Sequence, residues 1–175
     1  MKRLLTIILT LFIALGISCS TGDKSAVEGR LNETITSIKE KEFKNISDVV
    51  GSSGAGTPSI KFSSKATAKI KIINKDVTLS VNSIEVTGEE AIANVTVKSC
   101  DLAKIVVDSL DKALMASLLT VSTSSAEDRF NEQFENELEK IQTNEKTGDI
   151  KLKKVNGEWE LKDKNELLHL FVGEP

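Results

Sequence analysis

The chain has 175 residues, a formal charge of −3, 39% apolar and 28% charged residues, a composition that excludes a disordered chain and a multi-span membrane protein. Its mildly acidic balance argues against nonspecific nucleic-acid binding, which depends on neutralising phosphates with Lys and Arg. With six Phe, one Trp and no Tyr, a core must come mainly from Leu, Ile, Val and Ala.

The first element is a targeting segment. Lys2 and Arg3 precede an uncharged apolar run from Leu4 to Ile17. Its fourteen residues match the ~7–15 of a signal-peptide core and fall short of the ~20 that span a bilayer. Ser18 precedes Cys19, and a polar stretch begins at Ser20. This arrangement resembles the lipobox of bacterial lipoproteins, in which a small residue precedes the Cys that receives the acyl groups. Gly16 stands where that family usually has Leu, and Leu15 lies one position earlier. The resemblance implies a signal peptide over 1–18, lipid (palmitate-type) attachment at Cys19, a lipidated tether over 19–25, and one α+β domain over 26–175. The alternative is an ordinary cleaved signal that releases a secreted soluble protein. Removal of Lys2 and Arg3 takes the mature part to −5. With Cys19 acylated, Cys100 has no disulfide partner in the chain and reads as a small buried apolar residue.

Val27, Leu31, Ile35 and Ile38 recur at helical spacing and predict a helix over 26–42, with a short second one near 44–50. Residues 51–59 form a loop by composition. Ala66, Ala68, Ile70 and Ile72 alternate with Thr67, Lys69 and Lys71, the period of a half-buried strand. Val77, Leu79 and Val81 alternate too, but Ile84 and Val86 resume on the other parity, which predicts a bulge near Asn82-Ser83. Gly88-Glu89-Glu90 turns into a strand with Ala91, Ala93, Val95 and Val97 on one face.

Asp101 can cap a helix reaching about Val121, with Leu102, Ile105, Val106, Leu110, Ala113, Leu114 and Leu118 as its buried stripe. Ser124 and Glu127 have capping-box spacing for a further helix that carries Phe130, Phe134, Leu138 and Ile141. Asn156-Gly157 predicts a two-residue type I′ hairpin pairing Val155 with Glu158, Lys154 with Trp159, Lys153 with Glu160 and Leu152 with Leu161. Ile150, Leu152, Trp159 and Leu161 then share the apolar face. Asp163 and Glu166 start a terminal helix that Gly173 can stop.

Three segments, Phe43–Val50, Ala91–Lys104 and Ile150–Leu161 with Val155-Asn-Gly-Glu-Trp159, resemble parts of the nuclear transport factor 2-like (cystatin-like cone) lipoproteins of Firmicutes. The resemblance implies a curved antiparallel sheet packed on N-terminal and central helices. It implies no activity, because a fold does not supply one.

Catalytic residues, cofactor and metal ligands are not expected. Enzymes on this cone fold resemble one another in an Asp base with Tyr or Asp donors, and this chain has no Tyr. His169 is the sole His, so a His-based metal site lacks partners, and it reads as a partly buried packing residue. The glutamates around the Phe130 and Phe134 stripe read as a solvated helix face. Lys65, Lys69 and Lys71 with Lys151, Lys153 and Lys162 form alternating cations that could meet lipid headgroups or an anionic polymer. The expectation is a membrane-anchored, extracytoplasmic lipoprotein of the cell membrane or outer membrane, non-enzymatic, binding a small apolar ligand or an envelope protein. The competing expectation is a cone-fold enzyme using buried carboxylates.

Overall fold

The computed structural model describes residues 21–50, 60–119 and 124–173. The elements in chain order are α1 (Thr21–Glu40), α2 (Ile46–Val50), α3 (Ser64–Lys75), β1 (Thr78–Thr87), β2 (Glu90–Cys100), α4 (Leu102–Leu119), α5 (Ala126–Leu138), β3 (Thr143–Val155), β4 (Glu158–Leu161) and α6 (Lys164–Val172). The fold class is α+β. Its four strands form one antiparallel sheet in the order β1-β2-β3-β4.

The sheet is curved, and α1 lies in its concavity. Three strand spacings put the edges of a flat four-stranded sheet ~14 Å apart, wider than a helix ~10 Å across. Yet α1 contacts both edge strands, β1 and β4. Val27, Leu31 and Ile35, one residue every four along α1, are buried there. The opposing residues are those that the strand alternation turns inward, including Ala91, Ala93, Val95, Val97, Ile150 and Leu152.

The other face of the sheet is solvated and polar. The bulge falls where the parity switch predicts it, between Val81 and Ser83. The extra residue, Asn82, turns outward and donates through Nδ2 to Asn94 Oδ1 (2.8 Å) and Thr96 Oγ1 (2.9 Å). Asn94 in turn donates to Asp149 (2.7 Å), and Thr96 and Thr147 share a hydroxyl bond (2.9 Å). These bonds tie β1, β2 and β3 together across the wet face. The hairpin has the expected register, with Asn156 at φ 53° and Gly157 at φ 89°. Positive φ at both residues is the type I′ geometry, whose twist matches that of the flanking strands and lets Val155 and Glu158 pair.

Beyond the end of the sheet where β2 finishes, α2 to α5 form a helical cap. Its centre is a stack of Phe62, Phe130 and Phe134, with centroids 4.8 Å apart for Phe62–Phe134 and 5.4 Å for Phe130–Phe134. Phe43 and Phe171 make a second stack at 6.3 Å and join α6 to the chain that leaves α1.

Four expectations need correction. Residues 66–72 are helix α3, not a strand. Alternating Ala and Ile do not separate the two periods. Ala66, Ile70 and Asn74 are buried at four-residue steps while Ile72 is 63% exposed. Ser63 caps the helix by accepting from Ala66 N (3.0 Å), and Ala and Lys favour helix. The polar Asn74 at a core position hid the helical period. Second, α1 begins at Thr21 and ends at Glu40, because its first turn has no apolar position to betray it.

Third, α4 buries Leu102, Ala103, Val106, Ser109 and Ala113, leaving Leu114 and Leu118 62% and 81% exposed. Each four-residue step drifts about 40° round a helix of 3.6 residues per turn. The line Val106–Leu110–Leu114–Leu118 therefore leaves the packed face, whereas the 4-3-4 steps through Val106, Ser109 and Ala113 stay on it. Fourth, the capping box of α5 is Ser125 with Asp128, one residue later than expected. Ser125 Oγ accepts from Asp128 N (3.0 Å), and Ser125 N donates to Asp128 Oδ2 (3.2 Å).

Phe134 is fully buried between its two ring partners. Phe134→Ala is expected to cost ~3–5 kcal/mol, read as a lower urea midpoint with an unchanged slope. A loss below 1 kcal/mol would show that the cap is not packed as described.

Candidate functional site

Cys19, the one residue to which the sequence assigns chemistry, lies outside the described residues. The segment just after it is described. Residues 21–25, expected in a tether, are the first turns of α1, and Asp23 is bound into the domain. Its Oδ1 accepts from Lys154 Nζ (2.6 Å) and from Trp159 Nε1 (3.3 Å). Lys154 also lies over the Trp159 ring, 5.3 Å from its centroid. Lys154 N donates to Glu89 O (2.7 Å), which draws the β1–β2 turn to the β3–β4 hairpin. Asp23 suits its place in the first turn, where the helix dipole favours a negative charge. One end of the domain is thus a clasp of three segments, and Cys19 is separated from α1 by Ser20 alone. Two residues of extended chain reach at most ~7 Å.

The opposite end carries two open grooves. One, of about 450 Å³, runs between the chain leaving α1 and helix α3. Phe43, Phe62 and Ile70 form its floor, and Lys41, Lys44, Lys61 and Lys71 stand on its rim with Glu40 and Glu42. The second, of about 610 Å³, lies between β3 and α6, with Asp101, Lys146, Asp149, Glu166 and His169 among its walls. His169 is exposed there, which corrects the expectation of a packing residue: α6 turns Leu167, Phe171 and Val172 inward and the position between them outward.

Asp101 is the most constrained acid of the second groove. Its carboxylate accepts from Lys146 Nζ (2.6 Å) and Asn144 Nδ2 (2.5 Å). Burial pushes its pKa up, but these two bonds outweigh burial and hold it below the ordinary Asp value. Gly173, at φ +88°, closes α6 against it, and a Cβ there would stand 2.6 Å from Asp101 Oδ1. The neighbouring Cys100 is buried, and burial raises its thiol pKa against the opposing pull of Lys146. That agrees with its reading as a packing residue.

The predicted cation row does not form one surface. Lys65 and Lys69 belong to α3, where they pair with Glu135 (3.0 Å) and Glu139 (3.8 Å) of α5. Lys162 pairs with Glu90 across the sheet end (2.5 Å). The glutamates of α5 are likewise engaged: Glu137 accepts from Lys112 (2.8 Å) and Lys140 (3.3 Å), which hold its carboxyl below the usual range.

Among the described residues, the buried polar side chains are Asn74, Ser99 and Ser109. None is an acid. The described residues include no fully buried carboxylate, and α1, α6 and the inward strand residues pack the inner face of the sheet. No three described His, Cys, Asp or Glu side chains come together as metal ligands. Sequence reasoning did not find the Asp23 clasp or the α1–α3 groove. A lone Asp in a polar stretch carries no pattern, and the groove exists only because α3 is a helix.

No known family and no curated protein matches the chain. Among solved structures, it is similar to a "putative lipoprotein (ycdA)" of Bacillus subtilis, at 24% identity and a TM-score of 0.42. The match covers 63% of this chain and 37% of that one, so it spans little more than a third of the other protein's length.

Two outcomes are expected. Cys100 should resist alkylation in the folded protein at neutral pH and react once urea unfolds it; prompt labelling under native conditions would contradict its burial. Because the Asp101 pKa is lower folded than unfolded, its contribution is present above the unfolded value of ~3.9 and is lost as pH falls through the folded value. Asp101→Asn should thus be less stable than wild type at pH 7 and lose less stability below about pH 4. Parallel acid-unfolding curves for the two proteins would rule this out.

Proposed function

We propose that this chain is an extracytoplasmic lipoprotein, anchored through acyl groups on Cys19 to the cell membrane or outer membrane. Its domain serves as a binding or scaffold module. The observation that carries the reading is the pairing of Lys2, Arg3, the apolar Leu4–Ile17 run and Cys19 with a folded helix that starts only two residues later. The described part has no helix long and apolar enough to cross a membrane. Two or more acyl chains, at ~0.8 kcal/mol per buried CH₂, give a stable anchor where one does not.

In this reading the Asp23 clasp and the two hairpin turns face the bilayer at close range, and the helical cap with its grooves points outward. A helix nested in a curved antiparallel sheet also supports a place among cone-like folds of the nuclear transport factor 2 type.

The test is metabolic labelling of cells with an alkynyl fatty acid, followed by mass spectrometry of the N-terminal peptide. Wild type should carry label on a peptide beginning at Cys19, and Cys19→Ser should carry none. A wild-type peptide that begins at Cys19 or later without acyl groups overturns the anchor and leaves a secreted soluble protein.

A further inference from the structure

We propose that the uncovered edge of β3, from Glu145 to Asp149, takes up one extended peptide strand of a partner protein, and that this strand carries basic side chains. The proposal rests on the binding-module reading, to which it gives a partner class, and does not depend on acylation of Cys19. β3 runs from Thr143 to Val155, but β4 pairs only with Leu152–Val155. The rest of β3 has β2 on one side and no strand on the other. The register decides which main-chain groups face the open side. β3 pairs with β2 without a shift from Thr143 to Lys153, so successive residues alternate in the side to which they present N–H and C=O. Lys154 N donates to Glu89 O on the β2 side (2.7 Å), whereas Lys151 O accepts from Lys162 N on the β4 side (2.8 Å). Lys151 and every second residue before it therefore face outward. Lys151 N is taken by Glu166 Oε2 (3.2 Å). The main-chain groups of Glu145, Thr147 and Asp149 have no such partner among the described residues.

A row of unpaired main-chain donors and acceptors is complemented by another strand. The usual protections of an edge are missing here. The stretch has no Pro and no bulge, unlike β1 with its bulge at Asn82. Lys146, the charge on this stretch that turns inward, is held back by Asp101 (2.6 Å). Helix α6 lies under the strand and not beside it, because a Cβ on Gly148 would stand 3.2 Å from Leu170 Cδ2. The strand and α6 bound the groove of about 610 Å³, which leaves room for side chains that an added strand turns inward.

A second copy of this edge is a poor occupant. Paired with itself about Thr147, it would set Glu145 against Asp149 twice. Paired about Gly148, it would need the place beside Lys151 that Lys162 holds. Charge points instead to a basic strand. Glu145 and Asp149 stand on the outer face, and Glu166 stands across the groove. Asp149 accepts from Asn94 (2.7 Å) and Glu166 from Lys151 N, both neutral donors. Lys98 is opposite Glu145 in the register but forms no ion pair with it. The groove's own lysines, Lys104 and Lys146, are taken by Asp108 (2.9 Å) and Asp101 (2.6 Å). Lys or Arg side chains on an added strand would meet Glu145 and Asp149 at cross-strand distance, where opposite charges attract.

The experiment uses the full chain in phosphatidylcholine nanodiscs, or from the soluble fraction if it is released there. The probe is the peptide acetyl-Thr-Lys-Val-Lys-Val-Lys-Thr-amide, and amide hydrogen exchange is read residue by residue along β3. In the free protein the amides of Thr147 and Asp149 should exchange faster than those of Gly148 and Ile150, which face β2. Saturating peptide should slow Thr147 and Asp149 by about tenfold or more, with a smaller effect on Gly148 and Ile150. The same peptide N-methylated at its five central residues, and a version with Glu for Lys, should each bind at least about tenfold more weakly. Thr147→Pro, which removes the central N–H, should weaken binding by about tenfold, and Glu145→Lys by at least about threefold. Glu132→Lys on α5 should change nothing. Unchanged Trp159 fluorescence reports that each variant is folded. Slow Thr147 and Asp149 amides in the free protein, no slowing on addition of peptide, equal binding by the N-methylated peptide, or a folded Glu145→Lys protein that binds like wild type would each overturn the proposal. None of these results bears on the acyl label at Cys19.

Discussion

The molecule depends on the burial of α1 in the hollow of its sheet. Val27, Leu31 and Ile35 occupy the space that the inward residues of β2 and β3 would otherwise expose, and the sheet can curl only because a helix fills it. A flat four-stranded sheet with one apolar face would need a second layer of its own width. Curling lets α1 bridge the two edge strands while α6 packs on β2 and β3 beside it. The outward ladder from Asn82 to Asp149 holds the strands together on the other face.

The same packing gives the domain two unlike ends. Since α1 runs antiparallel to β1, its start meets the hairpin turns and its finish meets the beginning of β1, where Lys39 donates to Val77 O (2.8 Å). The first end is closed by Asp23, Lys154 and Trp159, and the second is capped by aromatic stacks and short helices. Function divides along this axis in the reading proposed above. Attachment belongs to the end nearest Cys19, and ligand contact belongs to the end that holds the grooves.

Charge is arranged differently at the two ends as well. Lysines and acids near the hairpins neutralise each other, as in the Lys154–Asp23 and Lys162–Glu90 pairs. In the cap, α5 neutralises one side of α3 and leaves cations on the other. Neutralisation of this kind depends on which helices are neighbours, so an inventory of Lys and Glu along the chain does not reveal it.

Features that depend on near neighbours in the chain were legible from sequence alone. The Asn156-Gly157 turn set the register of β3 and β4, because positive φ at two adjacent residues leaves one way to pair. The bulge at Asn82 was visible as a change of parity, and the stripe of α5 through Phe130, Phe134 and Leu138 as steps of four. Each is a local periodicity that the backbone must obey. Tertiary structure decided that α1 reaches back to Thr21 and which line of α4 is buried, and it settled residues 66–72 as helix together with the local Ser63 cap. In each case the local pattern admitted two answers. Distant partners weighed in: α5 glutamates for α3, Lys154 and Trp159 for Asp23, and the limited surface facing α4. Cys19 was read from its neighbours in the chain, whereas the groove exists only once α3 folds as a helix against the end of α1.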